Sequence, residues 1–267
     1  MPYVKITSTR NTQIKEVLAL REPKVRKKTG LTIVEGLREA SRAFASGIEF
    51  KELYFCRSFL KGKEPDVFLQ QVEGKGARIM ETTKEVFEKI SFGDRQEGVL
   101  AVCRSRILKF TDLKLNAKPL LVVTEALEKP GNLGAILRTC DGAGVDALIV
   151  ADGLTDIFNP NVVRSSLGTV FSVPVVHATN DETLTFLKKI NAVVCAASPD
   201  AGDIYYQKNL DTALAVVVGS EQKGLSAFWD KNASLKVRVP MQGIADSLNA
   251  SITAAVIIYE AFRQRNK

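Results

Sequence analysis

Apolar and polar positions alternate in two different ways along the chain. Up to residue 106, short runs typical of β-strands (LTIVEG, KELYFC, ARIM and EGVLAVCR) are separated by amphipathic stretches with the period of a helix, and a polar helical stretch at residues 11–20 precedes them. From Pro119 onward, the strand-like runs are apolar at nearly every position, as in LLVVTEA, ALIVAD, AVVCAAS and ALAVVVG. Strands that are apolar on both faces and alternate with helices predict a parallel sheet covered by helices on both sides.

This change of pattern predicts an α/β protein with two domains. Residues 1–106 form a small α/β domain, and residues 119–267 form a larger domain with a mostly parallel sheet. Residues 107–118 (ILKFTDLKLNAK) show no clear period and are expected to be a linker. In open parallel sheets, ligands bind beyond the carboxyl ends of the strands. Candidate site residues are therefore expected in the loops that follow LLVVTEA, ALAVVVG and LKVRVP.

The net charge of +7 is concentrated in the first part of the chain. Residues 1–110 contain 22 Lys and Arg against 14 Asp and Glu, whereas the remaining residues contain 15 against 16. The densest basic run is REPKVRKKTG, with Arg21, Lys24, Arg26, Lys27 and Lys28. Such a run is either a solvated loop or a surface that binds the phosphates of a nucleic acid. Its restriction to one segment favours nucleic-acid binding by these five residues.

Cysteine and histidine content argues against several classes of protein. The four cysteines lie far apart in apolar surroundings, a pattern typical of reduced thiols in a cytoplasmic protein rather than of disulfides or a zinc site. The single histidine leaves no cluster for a metal, and no nucleophile elbow accompanies it. Neither an apolar run of membrane-spanning length nor an apolar leader is visible, so we expect no membrane association. The glycines of DGAGVDALIVAD end a helix instead of starting one, which argues against a dinucleotide site.

Polar side chains in the three loops each have a structural interpretation of their own. Asn132 lies where the helix NLGAILRT should begin and would be its N-cap, and Asp246 or Ser247 would cap the last helix. Glu221, in the glycine-bounded loop GSEQKGLS, would alone be an ordinary surface acid. One cap needs only one side chain. The crowding of Asp246, Ser247 and Asn249 before the last helix therefore leaves polar groups for another role.

Taken together, the three loops resemble a known family. The segments NLGAILR, VVVGSEQKGLS and VPMQGIADSLNASITAAV, in this order and spacing, closely resemble the three motifs of the SpoU (TrmH) family, which are RNA ribose 2′-O-methyltransferases of the SPOUT class. The resemblance covers residues 119–267. Residues 1–106 more loosely resemble the family's substrate-binding domain, which is similar to a ribosomal-protein fold. The resemblance implies a trefoil knot near the C-terminus, S-adenosyl-L-methionine as cofactor, and a homodimer.

The same resemblance implies roles for individual residues. Ala250 and Thr253 depart from the residues more usual in the third motif, and neither change affects the chemistry. The implied catalytic residues are Asn132, Arg138, Glu221, Ser247 and Asn249, and the implied cofactor-binding residues are Gly219, Val239 and Leu248, with Met241 as a neighbour. In the last helix, apolar residues at helical spacing are expected to pack the knotted core and the dimer interface; they are Ile252, Ala255, Val256, Tyr259 and Phe262.

The implied activity is methylation of a ribose 2′-hydroxyl in structured RNA, and the basic first domain favours 23S ribosomal RNA. Two alternatives stay open: a tRNA 2′-O-methyltransferase, and a non-catalytic RNA-binding or ribosome-assembly factor. The resemblance allows Arg138 to act as the base or as an anchor. Because a guanidinium gives up its proton only far above neutral pH, it is a poor base, and we favour a clamp on the neighbouring phosphate.

Overall fold

The computed structural model describes residues 3–92 and 97–266. The chain folds into two compact units. The first unit consists of Met1–Arg106 together with Ile157–Ser172, and the second consists of Ile107–Asp156 together with Val173–Lys267. The predicted first domain ends at residue 106, which is also where the chain passes from the first unit to the second.

The first unit is built on a mixed sheet of five strands. Its sheet order is β1-β4-β3-β5-β2, in which β5 runs antiparallel to both of its neighbours and the other pairs are parallel. Apolar residues from the sheet and from the flanking helices, such as Ile14, Tyr54 and Phe87, are fully buried in its core. In chain order the elements up to residue 104 are β1 (Val4–Ile6), α1 (Thr12–Ala19), α2 (Pro23–Thr29), β2 (Leu31–Glu35), α3 (Leu37–Ala45), β3 (Phe50–Phe55), α4 (Glu64–Glu73), β4 (Arg78–Thr82), α5 (Lys84–Ile90) and β5 (Val99–Arg104).

The second unit contains a seven-stranded parallel sheet, which confirms the fold class predicted from the apolar runs. Its order is β10-β12-β9-β11-β6-β7-β8, and all recorded pairs are parallel. The central strands are buried along their whole length because helices cover both faces. From residue 120 the elements are β6 (Leu120–Glu125), α6 (Pro130–Ala143), β7 (Ala147–Ala151), α7 (Pro160–Ser165, in the first unit), β8 (Val175–Ala178), α8 (Asn180–Lys189), β9 (Val193–Ala197), β10 (Asp203–Ile204), β11 (Leu214–Val218), α9 (Ala227–Asn232), β12 (Leu235–Arg238) and α10 (Ala250–Arg265).

The domain boundaries differ from those predicted in two places. Residues 157–172 lie within the predicted second domain, yet they pack in the first unit, where the Thr32 hydroxyl donates to the Phe158 carbonyl (3.0 Å). Residues 107–118 are not a free linker. Leu108 forms a parallel bridge with Val176, and the Phe110 ring stacks on Phe186 at 4.3 Å between centroids. Leu108, Phe110, Leu113 and Leu115 pack, partly buried, against the core of the second unit, so most of this segment is part of its packing.

In the last helix, the residues buried within the chain differ from those predicted to pack the core. The buried residues are Ala254, Ile257, Ile258 and Ala261, whereas three of the residues expected in the core or the dimer interface are exposed: Ile252, Tyr259 and Phe262. The helix is apolar almost all round, so its periodicity could not tell which face meets the sheet. Asn249 is the N-cap and accepts from the Ser251 backbone N–H (2.9 Å), so the predicted caps Asp246 and Ser247 are wrong.

Within the described residues, none of the helices combines the length and apolar character that crossing a bilayer requires.

Candidate active site

A large cavity of the second unit lies beyond the carboxyl ends of β9, β11 and β12. Its volume is about 770 Å³, within the range of small-molecule binding sites. Most of its lining comes from three loops, at residues 196–200, 218–225 and 246–250. Strands in a parallel sheet end at the same edge, so loops that are far apart in sequence meet here.

The loop after β11 is closed on itself by its backbone. The Ser220 N–H donates to the Gly224 carbonyl (3.1 Å), and the Gly224 N–H donates back to the Ser220 carbonyl (3.0 Å). A Cβ at Gly219 would lie 2.2 Å from the Gly224 carbonyl carbon, and Gly224 has a φ of +65°. Both positions therefore require glycine, since one has no room for a side chain and the other has a left-handed backbone. The result is a compact turn that lines the cavity with backbone groups.

Three predicted catalytic residues meet in one chain of hydrogen bonds. The Asn132 side-chain amide donates to Glu221 Oε1, and Asn249 Nδ2 donates to Asn132 Oδ1 (3.3 Å). These residues come from the first turn of α6, the turn after β11 and the start of α10. The predicted N-cap role of Asn132 is wrong, because α6 begins at Pro130 with Lys129 before it. Its amide is free to link the other two loops.

The other predicted site residues divide into two groups. Ser247, Leu248, Gly219 and Val239 line the cavity together with Glu221 and Asn249. Arg138 and Met241 do not line it. Arg138 lies on the exposed side of α6, and its guanidinium makes no hydrogen bond or ion pair with the residues that the structure describes. The structure therefore does not bring Arg138 to the cavity of its own chain.

Sequence reasoning missed one wall of the cavity. Residues 196–200, Lys129, Asp230, Lys236 and Arg238 also line it. The loop at residues 196–200 follows β9, which pairs with both β11 and β12. The rule that ligands bind at carboxyl ends would have included this loop if the strand order had been known. Strand order follows from tertiary packing, and the sequence pattern does not specify it.

The basic run forms a short helix, α2, rather than a loop. Lys24, Lys27 and Lys28 are exposed on it, as a phosphate-binding surface requires. Arg26 is 4% exposed and donates through Nη1 to the carbonyls of Leu20 and Arg21, both at 2.7 Å. The prediction that Arg26 binds RNA is therefore wrong. Its guanidinium is used inside the protein, where it pairs with carbonyl groups near the end of α1.

Arg21 has a similar structural role. Its Nη2 donates to three consecutive carbonyls at the end of α5, of which that of Ser91 is the nearest at 2.7 Å. This guanidinium therefore joins α5 to the segment between α1 and α2. We call the remaining three lysines, Lys24, Lys27 and Lys28, the lysine surface.

Among the residues that the structure describes, no group of three or more His, Cys, Asp or Glu side chains is arranged to hold a metal ion.

Two family models match the chain. The SpoU rRNA Methylase family matches residues 119–259, and the MRM3-like substrate binding domain matches residues 11–101. The first match includes all three loops of the cavity and the segments that connect them. The second lies within the first unit and includes the lysine surface.

Individual relatives agree with these matches. The 23S rRNA (guanosine-2′-O-)-methyltransferase RlmB of Bordetella pertussis is 33% identical over 221 residues, which cover 80% of this chain and 89% of that protein. The crystal structure of an RNA 2′-O ribose methyltransferase has a TM-score of 0.85 and 39% identity over 98% of this chain and 99% of the other. The AdoMet-bound rRNA methyltransferase of Sinorhizobium meliloti has a TM-score of 0.88 and 28% identity, with 98% of each chain covered. On this agreement of family model, relatives and fold, the chain belongs to the SpoU rRNA methylase family.

Proposed function

We propose that the protein transfers a methyl group from S-adenosylmethionine to a ribose 2′-hydroxyl of 23S ribosomal RNA. The observation that carries this proposal is the hydrogen-bonded group of Asn132, Glu221 and Asn249 at the edge of the cavity. The names of the relatives support the reaction and the RNA class. We place the reaction in the cytoplasm, where thiols such as the four free buried cysteines stay reduced.

The walls of the cavity fit S-adenosylmethionine. Val239 and Leu248 offer apolar surface for its adenine, and the closed turn after β11 offers backbone groups for its polar edges. When bound, the cofactor supplies a methyl group activated by a sulfonium. The AdoMet-bound structure of the Sinorhizobium meliloti rRNA methyltransferase supports this assignment.

The chain's own residues would orient the ribose and stabilise its charge. A hydroxyl is a weak nucleophile until its proton is shared or lost. The guanidinium of Arg138 is a cation with several N–H donors, so we assign it to the adjacent phosphate and to the negative charge that develops on the 2′-oxygen. Asn132 and Asn249 would orient the nucleotide, and Glu221 would fix the Asn132 amide through the hydrogen bond it accepts.

A homodimer belongs to the same proposal. Ile252, Tyr259 and Phe262 are 51%, 48% and 38% exposed, and their spacing places them on one side of α10. We call this side the apolar face of α10. A contiguous exposed apolar face on a long helix is typical of a protein interface.

The position of Arg138 supports this dimer. The residue is one helical turn before Gly142, at which a Cβ would lie 2.8 Å from the Tyr259 hydroxyl. Arg138 is therefore beside the apolar face of α10, although it does not line the cavity of its own chain. We infer that dimerisation brings Arg138 of one protomer to the cavity of the other. The trefoil knot implied by the resemblance is also part of this proposal, supported by the meeting of residues 218–225 and 246–250 at one cavity.

Arg138→Ala tests the assignment of this arginine. We expect methylation to fall by on the order of 100-fold or more, because a group acting on transition-state charge is lost. S-adenosylmethionine affinity by calorimetry should remain that of the wild type. Lys188→Ala, which removes an exposed cation from α8, is the control and should methylate normally.

The substrates in this experiment are 23S ribosomal RNA and bulk tRNA, each followed by mapping of 2′-O-methyl sites. Methylation of tRNA alone would overturn the ribosomal assignment. A wild-type protein that binds RNA but not S-adenosylmethionine would show a non-catalytic RNA-binding factor instead.

A further inference from the structure

Glu125 is a buried carboxylate to which the proposed reaction gives no role. It is the last residue of β6 and is 4% exposed. Its Oε1 accepts from Ser226 Oγ (2.5 Å) and from Asn180 Nδ2 (2.8 Å), and its Oε2 accepts from the Ser226 backbone N–H (2.7 Å). A carboxylate buried in this way is stable only when hydrogen bonds replace its hydration, and here three donors do so.

Ser226 is bonded to Glu125 through both of its donors. It precedes α9 as the N-cap residue, a position where a serine hydroxyl usually accepts from the first turn of its own helix. No such cap bond is present for Ser226. Its hydroxyl and its backbone N–H both donate to Glu125 instead. This serine therefore attaches the start of α9 to the end of β6.

A second branch of the same network reaches Trp229, the only tryptophan of the chain. The Trp229 indole Nε1–H donates to Asn180 Oδ1 (2.8 Å), and the Asn180 amide donates in turn to Glu125. Trp229 is fully buried. One carboxylate thus holds the first residue of α8, the start of α9 and a buried indole in a single arrangement.

The network ends one residue from the cavity. Gly219, Gly224 and Leu225 line the cavity, and Ser226 follows them directly. The turn at residues 220–224 is closed by its own backbone bonds, so it moves as one piece whose exit is held at Ser226. We propose that Glu125 is a positioning residue for the cofactor, which acts through Ser226 to hold this turn in its binding geometry. This inference rests on the proposed function of the cavity.

The chemistry of the site requires a carboxylate rather than an amide. All three groups that meet Glu125 are used as donors, and an ionised carboxylate only accepts. Glu125→Gln preserves the size of the side chain but places an NH₂ group against at least one of these donors. Ser226→Ala removes the hydroxyl and keeps the backbone bond, while Ser226→Thr keeps both.

The experiment uses the full-length protein. It measures S-adenosylmethionine binding by calorimetry, and methylation over a range of cofactor and RNA concentrations up to saturation. Glu125→Gln and Ser226→Ala should each raise Kd and KM for the cofactor about tenfold, while kcat and the KM for RNA stay within twofold of the wild type. Ser226→Thr should restore the wild-type values. Ser234→Ala, which removes a hydroxyl that accepts from the Val194 N–H beyond the other end of α9, is the control and should leave cofactor affinity unchanged.

Trp229 fluorescence and thermal unfolding show in each case that the variant is folded. Unchanged cofactor affinity in both variants, or an equal loss of affinity in Ser234→Ala, would overturn the positioning role. Loss of kcat with unchanged KM would also contradict it, because it would place Glu125 in the chemical step. Failure of the wild type to bind S-adenosylmethionine would instead reject the proposed function itself, so the two failures are distinguishable.

Discussion

Glu35, the last residue of β2, has a carboxyl group that holds its proton unusually strongly. Burial raises its pKa to about 7, against the opposing effects of a hydrogen bond from the Phe92 backbone N–H and of the Arg164 charge. The neighbouring Glu97 raises the pKa further. The folded protein therefore holds this proton more tightly than the unfolded chain does. As the pH rises and Glu35 ionises, the free energy of unfolding falls.

The resulting prediction concerns stability against pH. The folded pKa is above the ordinary glutamate value of 4.5, so the contribution of Glu35 to stability is fully favourable below pH 4.5 and is lost as the pH rises to about 7 and beyond. Glu35→Gln should remove this loss and stabilise the protein relative to the wild type by about 1–2 kcal/mol at pH 8, with a smaller difference at pH 5. Urea unfolding at the two pH values measures it. Glu128→Gln, at an exposed carboxylate, is the control. An equal effect at both pH values would contradict the prediction.

At the level of single residues, the motifs predicted which side chains lie together but not the structural role of each. Asn132, Glu221 and Asn249 were identified through motifs that place them after three strands, and they share one hydrogen-bonded chain. Arg26 was assigned to RNA because a basic run in sequence does not show which of its side chains turns inward. In a short helix, a one-residue difference moves a side chain by about 100°, from solvent to core.

Among the helices, α10 allows a direct test of the proposed dimer. Tyr259→Glu places a charge in the middle of the apolar face of α10, and burying an unpaired charge in an interface is costly. We expect the dimer dissociation constant to rise by at least 100-fold. Sedimentation equilibrium or light scattering measures the mass.

Val67→Glu is the matched control for this variant. Val67 is a 54% exposed apolar residue on α4, so the same change of charge there should leave the mass unchanged. A wild-type protein that is monomeric at micromolar concentration would contradict the dimer. So would a Tyr259→Glu variant that remains dimeric.

The prediction of elements succeeded where one face of a segment is distinctly apolar. In α6, Leu133, Ile136 and Leu137 follow the helical period and are buried as expected. In α10 both faces are apolar, and the choice between them depends on contacts with α6 and β11 that the sequence does not show. The cavity wall at residues 196–200 was missed for the same reason, since it depends on which strands are neighbours.

For the whole molecule, the distribution of charge predicts where RNA affinity resides. The lysine surface belongs to the first unit, whereas the second part of the chain is close to neutral. Replacing Lys24, Lys27 and Lys28 by Gln should weaken binding to every RNA tested. It should also lower the slope of log K against log salt by about 2, at ~0.7 for each phosphate contact on single strands. Affinity across a salt series measures both quantities.

A variant with the same change of charge elsewhere is the control. Replacing Lys188, Lys189 and Lys231, all exposed in the second unit, by Gln removes three positive charges as well. If both triple variants lose the same affinity and slope, RNA binding follows net charge and the lysine surface has no special role.

The discontinuity of the first unit has a consequence for synthesis. All five strands of its sheet have been made by residue 104, but α7 and the rest of residues 157–172 follow only after β6, α6 and β7 of the second unit. A chain growing on the ribosome therefore cannot complete its first unit before it has begun the second. For the same reason, no single proteolytic cut separates the two units with all of their own residues.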